Sequence, residues 1–138
     1  MTVYCVDTSS WHRSDDPRVS GVFRRHLDAD RLVLCHQVRL EILFSARSAD
    51  DYDALARELS GLQTIPIDAS TLDRALEVQR LLAQVGGLHH RSVKIADLII
   101  AAAAEAAGAT VLHYDADYDR IAAITSQPVE WIVPAGSL

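Results

Sequence analysis

Acidic side chains follow or interrupt apolar runs at four separate places in the chain. The densest is HYDADYDRIAA, residues 113–123, where three aspartates stand on alternate positions directly after an apolar run. Single carboxylates also follow VYCV, lie within VRLEILF and precede LIIAAAA. Carboxylates that lie close together repel one another, and a shared divalent cation removes that cost. All-oxygen coordination suits Mg²⁺ or Mn²⁺, so the pattern indicates metal-dependent chemistry if the fold brings the four places together.

Three of these carboxylates also have an ordinary structural explanation. Asp7, followed by Thr and Ser residues, has the sequence of a helix N-cap. Glu41 could lie at the surface or pair with Arg39 or Arg47, because glutamate is rarely buried without a partner. Asp97 stands where a negative charge stabilises the start of a helix. The sequence leaves the structural and the functional interpretations open for each.

The three aspartates of residues 113–123 do not all need the same role. An acidic helix start would account for one or two of them. We assign Asp119 to that structural class, with Arg120 or Arg74 as its expected partner. Asp115 and Asp117 are the better ligand candidates.

Other kinds of site have little support. The chain contains no GxxxxGK[ST] loop, no GxGxxG turn and no GxSxG elbow. Zinc is disfavoured because there is no CxxC pair and the two adjacent histidines, His89 and His90, do not have ligand spacing. Cys35 and His36 are adjacent, which points their side chains apart and disfavours Cys-His catalysis.

Composition limits the type of protein. The formal net charge is -6 over 138 residues, which argues against broad electrostatic wrapping of a nucleic acid and allows only local contacts. Cys5 and Cys35 lie in apolar runs and are expected to be buried free thiols. No signal peptide or membrane-spanning run is visible. We therefore expect a soluble, cytoplasmic protein.

The elements that must position the carboxylates alternate between strand and helix, which predicts an α/β sandwich with a mainly parallel sheet in a single domain, residues 1–138. Strands are predicted at residues 3–6, 31–35, 109–114 and 129–133, with TIPID an edge strand at best because of Pro66. Helices are predicted at residues 17–28 and 36–47 and in DDYDALARELSGL, ASTLDRALEVQRLLAQVGG, KIADLIIAAAAEAAG and DADYDRIAAI. Tyr118 and Ile121 are expected to anchor the last helix to the core.

This topology has a consequence for function. Ligands of open α/β sheets bind at the carboxyl ends of the strands. Asp7 ends the first strand, and Asp115 and Asp117 follow the strand that ends near Tyr114. Acids about a hundred residues apart are therefore predicted on one edge of the sheet.

The ordered set of a strand followed by VDTSS, a helical Glu41, KIADLIIAAAA and HYDADYDRIA resembles the PIN-domain ribonucleases, and within them the VapC toxins of bacterial toxin–antitoxin pairs. The resemblance covers essentially the whole chain. It implies a PIN-like three-layer α/β/α sandwich. It also implies Mg²⁺-dependent hydrolysis of RNA phosphodiesters, with Mn²⁺ as a substitute, and inhibition by a VapB-type antitoxin. A homodimer is implied as well, with a heterotetramer or larger assembly when the antitoxin is bound, and no membrane contact.

The roles that follow from the resemblance are specific. Catalysis is expected from Asp7, Glu41, Asp97 and Asp115, and metal binding from Asp7, Asp97, Asp115 and Asp117. Substrate contacts are expected on other grounds: the acidic net charge requires local positive groups, for which Arg91, Lys94 and Arg24-Arg25 are the candidates, and the hydroxyls of Thr8 or Ser9 could contact metal-bound water or phosphate. Two competing hypotheses are a phospho-accepting receiver-like module and an inactive PIN-like scaffold. A receiver would need a pair of acids after its first strand, where only Asp7 stands, and the complete acidic set argues against the scaffold.

Overall fold

Five short parallel strands form one sheet at the centre of the computed structural model, which describes residues 1–138. The strands are β1 (Tyr4–Val6), β2 (Leu32–Cys35), β3 (Gln63–Ile65), β4 (Thr110–His113) and β5 (Val129–Trp131). Their order across the sheet is β3-β2-β1-β4-β5, and every neighbouring pair is parallel. The predicted strands are confirmed, and the segment before Pro66 is an edge strand as expected.

Seven helices surround the sheet and give the predicted three-layer α/β/α sandwich. They are α1 (Thr8–Trp11), α2 (Pro17–Asp28), α3 (His36–Phe44), α4 (Ala49–Leu59), α5 (Ala69–Val85), α6 (Ile95–Ala106) and α7 (Asp117–Thr125), with a 3₁₀ turn at His89–Ser92. The sequence did not predict α1 or the 3₁₀ turn, because four residues are too few to show a periodic apolar pattern. The predicted helix 36–47 was too long, since α3 ends at Phe44.

Local chemistry explains several helix boundaries. The side chain of Asp16 accepts a hydrogen bond from the backbone N–H of Arg18 at the start of α2. Pro17, the first residue of this helix, has no backbone N–H that needs a partner. At the start of α5, Asp68 and Thr71 form a reciprocal capping box. Capping by these side chains satisfies backbone N–H groups that have no partner within their own helix.

The alanine-rich helix α6 lies in the core. Its residues 100–104 are all buried, because the small side chains of Ala101 to Ala104 allow neighbouring elements to approach closely. Cys5 and Cys35 are buried free thiols, as predicted. Tyr118 and Ile121 of α7 are fully buried, which confirms their predicted anchoring role. No helix has both the length and the apolar character needed to cross a membrane.

The two central strands bring distant parts of the chain together. Val6 of β1 lies opposite Leu112 of β4, so the residues that follow these strands emerge side by side. The Ser10 hydroxyl fastens this edge, since its Oγ is 2.8 Å from the carbonyl oxygen of Asp7 and 2.9 Å from that of Leu112. The fold thus joins the acids at the ends of β1 and β4, as the topology predicted.

Candidate active site and metal centre

A cavity of about 530 Å³ opens at the carboxyl edge of the sheet. It is lined by Asp7, Thr8, Ser9, His12, Leu40, Glu41, Phe44, Lys94, Ala96, Asp97 and Asp115. The four predicted catalytic acids all lie in its wall, although they come from the end of β1, from α3, from α6 and from the loop after β4. The fold therefore gathers them in one place, and Arg91 and Asp117 are the predicted site residues that do not line the cavity.

Asp7 is both a helix cap and part of the cavity wall. Its Oδ2 accepts hydrogen bonds from the backbone N–H of Ser9 at 3.0 Å and from the Ser9 hydroxyl. Its Oδ1 accepts from the hydroxyl of Tyr118, with the two oxygens 2.5 Å apart. The carboxylate is buried, and these donors on both oxygens hold it in a single orientation. The capping and functional interpretations are therefore compatible.

Asp97 is the acid of the site whose pKa is raised by its surroundings. Its Oδ1 lies 3.2 Å from the Tyr118 hydroxyl, and its buried Oδ2 has no hydrogen-bond partner. Burial raises the pKa of Asp97 to about 8, with the neighbouring carboxyls of Asp117 and Asp7 acting in the same direction. An unpartnered buried carboxylate oxygen at the start of a helix is available for a further ligand.

Three carboxylates form a compact cluster, the aspartate triad of Asp97, Asp115 and Asp117. One oxygen from each lies within 4.8 Å of the others. The Nζ atom of Lys94 is 2.7 Å from Asp115 Oδ2, 3.0 Å from Asp117 Oδ2 and 3.4 Å from Asp97 Oδ2. Lys94 was predicted to contact substrate, but in this structure its ammonium group is bound by the triad.

Asp117 is the member of the triad that does not line the cavity, and hydrogen bonds from Lys94 and Arg120 hold its carboxylate. Its Oδ2 accepts from the backbone N–H of Lys94 at 3.0 Å, and its Oδ1 accepts from Arg120 Nη1 at 3.0 Å. Burial alone would raise the pKa of Asp117, but hydrogen bonding with Asp97 and Lys94 holds it below its usual value. Asp117 is thus held in its charged form, while Asp97 tends to keep its proton.

Glu41 is positioned by two neutral side chains. The Thr8 hydroxyl donates to its Oε1 at 2.5 Å, and the Gln37 amide donates to its Oε2 at 3.0 Å. The predicted alternative of an arginine partner is wrong, because the guanidinium of Arg39 binds Thr64 and backbone carbonyls and Arg47 makes no contact with Glu41. No salt bridge neutralises Glu41, so its charge faces the cavity.

The remaining predicted residues take different positions. The Ser9 hydroxyl is used within the protein, since it donates to Asp7 and accepts from the backbone N–H of Tyr114 at 2.9 Å. Arg91 is exposed at the 3₁₀ turn, outside the cavity wall. The predicted pairing of Asp119 with an arginine is wrong, because its carboxylate accepts from the indole N–H of Trp131. Arg120 pairs instead with Asp117.

Sequence reasoning missed several features of this site. Tyr118 was predicted only as a core anchor, yet its hydroxyl links Asp7 to Asp97. The available signal was the phenol itself, since a buried tyrosine hydroxyl requires a partner. His12, Leu40 and Phe44 also line the cavity, and no sequence feature singled them out.

The donor set fits a hard divalent cation. The triad offers only carboxylate oxygens, which are the ligands that Mg²⁺ and Mn²⁺ prefer, and it contains no thiolate or imidazole. The buried Oδ2 of Asp97 accepts no hydrogen bond, and its nearest positive group, the Lys94 ammonium, is 3.4 Å away, so this oxygen could act as a ligand of a cation. Asp7 is outside the 4.8 Å cluster and connects to it through Tyr118.

Comparison with protein families supports the resemblance seen in the sequence. Residues 4–124 match the family model described as the PIN domain. The chain is 62% identical over 136 residues to Ribonuclease VapC18 of Mycobacterium tuberculosis, covering 99% of both chains. It is 43% identical to Ribonuclease VapC51 of the same organism, covering 98% of this chain and 96% of that protein.

Solved structures match the fold at lower sequence identity. DNA-bound VapBC from Salmonella typhimurium contains a chain that aligns with a TM-score of 0.77 and 18% identity, covering 96% of this chain and 100% of that one. VapBC2 from Rickettsia felis, bound to a promoter DNA fragment, aligns with a TM-score of 0.75 and 19% identity, covering 94% and 99%. At these identities the likeness concerns the fold.

Removing the Tyr118 hydroxyl tests its link to the buried acids. Tyr118→Phe should lower the free energy of unfolding by about 1.5–3 kcal/mol, because Asp7 loses a donor to a buried charge. Urea unfolding in EDTA measures this. Tyr114→Phe is the matched control, because its hydroxyl accepts only an exposed bond from the Leu138 N–H, and it should change stability by less than about 0.5 kcal/mol. Equal losses in the two variants would contradict the link.

Asp97 should make the metal-free protein less stable as pH rises. Its folded pKa of about 8 exceeds the unfolded value of 3.8, so between these values the folded state binds more protons. Stability therefore falls from pH 5 to pH 8, by at most about 1.4 kcal/mol per pH unit. Asp97→Asn should remove that fall. Denaturant unfolding of the wild type and of Asp97→Asn, in EDTA at pH 5 and at pH 8, gives the difference in stability between the two proteins at each pH. Other titrating groups contribute equally to both proteins and cancel in that difference. Parallel pH dependences would refute the assignment.

Proposed function

This chain belongs to the PIN-domain family, among its VapC ribonucleases, and we propose that it is a Mg²⁺- or Mn²⁺-dependent endoribonuclease, the toxin of a type II toxin–antitoxin pair. The observation that carries the proposal is the convergence of Asp7, Glu41, Asp97 and Asp115 on one open cavity. Four separate elements supply these acids, and the structural needs of the fold alone do not explain why all of them line one cavity.

The aspartates divide the work of holding the ion. Asp97 and Asp115 supply oxygens at the cavity wall, and Asp117 completes the cluster from behind. The Tyr118 hydroxyl lies between Asp7 and Asp97, and Ser9 and Tyr118 hold the Asp7 carboxylate. Asp7 would either fix the position of Asp97 through this hydroxyl or add an oxygen ligand of its own. A bound divalent cation lowers the pKa of water and stabilises negative charge on the phosphate oxygens.

Glu41 is suited to orient the attacking water. Thr8 and Gln37 hold its two oxygens in place without neutralising the charge. A carboxylate in that state can accept a proton of the water by hydrogen bonding and so aim its lone pair at phosphorus. Indirect metal binding through a water molecule is the other role open to Glu41.

Local positive charge must hold the RNA, because the net charge of the chain is -6. Arg91 lies exposed three residues before Lys94 and suits bidentate contact with a phosphate. Thr8 and Ser9 lie in the cavity wall, where Thr8 is the better candidate for substrate contact because the Ser9 hydroxyl is already used twice. Lys94 can contact phosphate only after it leaves the triad.

A VapB-type antitoxin is the proposed protein partner. The supporting observation is that the fold matches chains from VapBC complexes over 94% or more of this chain. We propose that residues 1–138 form one PIN domain that acts in the cytoplasm as a homodimer and binds the antitoxin as a heterotetramer or larger assembly. RNA is the proposed substrate, and no membrane takes part.

Substitution of a triad ligand tests the nuclease. Asp97→Asn and Asp115→Asn should each lower RNA cleavage at least about hundredfold, because loss of a ligand costs no less than loss of its supporting contacts. Purified protein, freed of any partner, is incubated with total RNA and Mg²⁺, Mn²⁺ or EDTA. EDTA should abolish cleavage. Asp119→Asn is the matched control and should cleave normally, because Asp119 binds Trp131 outside the cavity. Equal cleavage by the wild type and Asp97→Asn would sink the proposal.

Antitoxin binding can be tested separately. Coexpression with a candidate VapB protein should yield a stable complex that cleaves RNA at least about tenfold more slowly than the free chain, because an antitoxin bound over the cavity would exclude RNA. Size-exclusion chromatography with light scattering gives the mass of the complex, and the RNA assay gives its activity. A complex that cleaves as fast as the free protein would contradict inhibition at this site.

A further inference from the structure

Lys94 stands in an unusual place for a lysine beside a metal centre. Its Nζ is within 3.4 Å of one oxygen from each member of the aspartate triad. These are the oxygens Asp97 Oδ2, Asp115 Oδ2 and Asp117 Oδ2. The ammonium group therefore already contacts one oxygen of each carboxylate that would hold a divalent cation.

We propose that Lys94 is a tethered competitor of the divalent cation, whose ammonium group occupies the aspartate triad in the metal-free protein and must leave it before the cation binds. This inference rests on the proposed function, because it assumes that the triad is the metal centre. It assigns to Lys94 a role in setting metal affinity, in addition to any contact with phosphate.

The geometry allows the ammonium group to leave. The Lys94 side chain is 65% exposed, so it can turn into solvent without disturbing the core. The backbone N–H of Lys94 donates separately to Asp117 Oδ2 at 3.0 Å. Departure of the side chain therefore breaks the ion pairs and leaves the start of α6 attached to Asp117.

The charge on Lys94 makes it an effective competitor. A lysine side chain carries a positive charge at neutral pH, and this one lies 2.7 to 3.4 Å from oxygens of three carboxylates. The group thus remains an ammonium, and metal entry displaces a cation rather than a neutral amine. The Asp97 Oδ2 atom accepts no hydrogen bond even with the ammonium group 3.4 Å away, and a divalent cation would bring a second positive charge to the same carboxylates.

The cost of this competition can be bounded. If the ammonium group occupies the triad about 90% of the time, the apparent dissociation constant for the metal rises about tenfold. Lysine suits such exchange, because its ammonium is a compact point charge on a flexible stem. Removal of the charge should therefore tighten metal binding, whereas loss of a simple phosphate contact would leave metal binding unchanged in the absence of RNA.

Titration with Mn²⁺ without RNA tests the proposal, with free Mn²⁺ measured by electron paramagnetic resonance. Lys94→Met removes the charge, keeps an unbranched side chain only one atom shorter, and should lower the Kd about tenfold. Lys94→Gln gives a second replacement, and a thermal melt of each variant checks its fold. Arg91→Met is the matched control, since it removes a positive charge three residues away that makes none of the triad contacts. That control should change the Kd less than about twofold.

The outcomes separate this inference from the proposed metal centre. If the wild type binds Mn²⁺ and Asp97→Asn does not, but Lys94→Met binds no more tightly, the competitor is refuted and the metal centre stands. If neither the wild type nor Lys94→Met binds Mn²⁺, both proposals fail. Tighter binding by Lys94→Met and Arg91→Met alike would also refute the competitor, because the effect would then reflect net charge.

The chain offers a direct second test, because Lys94 is its only lysine. Labelling with [¹³Cε]lysine therefore gives one side-chain signal in a nuclear magnetic resonance spectrum. Saturation with diamagnetic Mg²⁺ should shift this signal and increase the mobility of the side chain as it leaves the triad. A signal whose mobility does not change at saturating Mg²⁺ would overturn the proposal.

Discussion

Repulsion between carboxylates at one edge of the sheet is the constraint on which the rest of the site depends. Asp97, Asp115 and Asp117 bring their oxygens within 4.8 Å, a distance at which three full negative charges are costly without compensation. Several features of the protein reduce this repulsion. Lys94 and Arg120 supply positive charge, and the raised pKa of Asp97 lets one acid stay neutral.

The acids come close together because separate strands and helices end at the same edge of the sheet. Parallel strands end on the same side, so Asp7 after β1 and Asp115 after β4 emerge together without any local sequence relationship. The helix α6 runs back from this edge into the core, and its alanines allow it to lie close to the sheet. The Tyr118 hydroxyl then joins the carboxylates of β1 and α6 from within the core. The rigid scaffold thus includes the groups that orient the acids.

Sequence reasoning predicted the strands, the helices and the parallel sheet well, and the side-chain contacts poorly. The alternation of strands and helices follows directly from the hydrophobic pattern. It predicts a parallel sheet, and this was enough to place Asp7 and Asp115 at the carboxyl edge of that sheet. The partners of Asp119 and Glu41 were wrong because charge pairing along the sequence says little about contacts through space. Trp131 reaches Asp119 across the sheet edge, and Thr8 reaches Glu41 from a helix of four residues that leaves no periodic signal. The position of Lys94 within the triad likewise depends on three separate elements meeting.

The double contact between Asp117 and position 94 has an evolutionary consequence. One contact is made by the lysine side chain and the other by the main-chain N–H, which every residue except proline provides. A substitution at this position can therefore alter the charge within the site while the attachment of α6 is retained. Such a change of charge does not require the helix that presents Asp97 to be rebuilt.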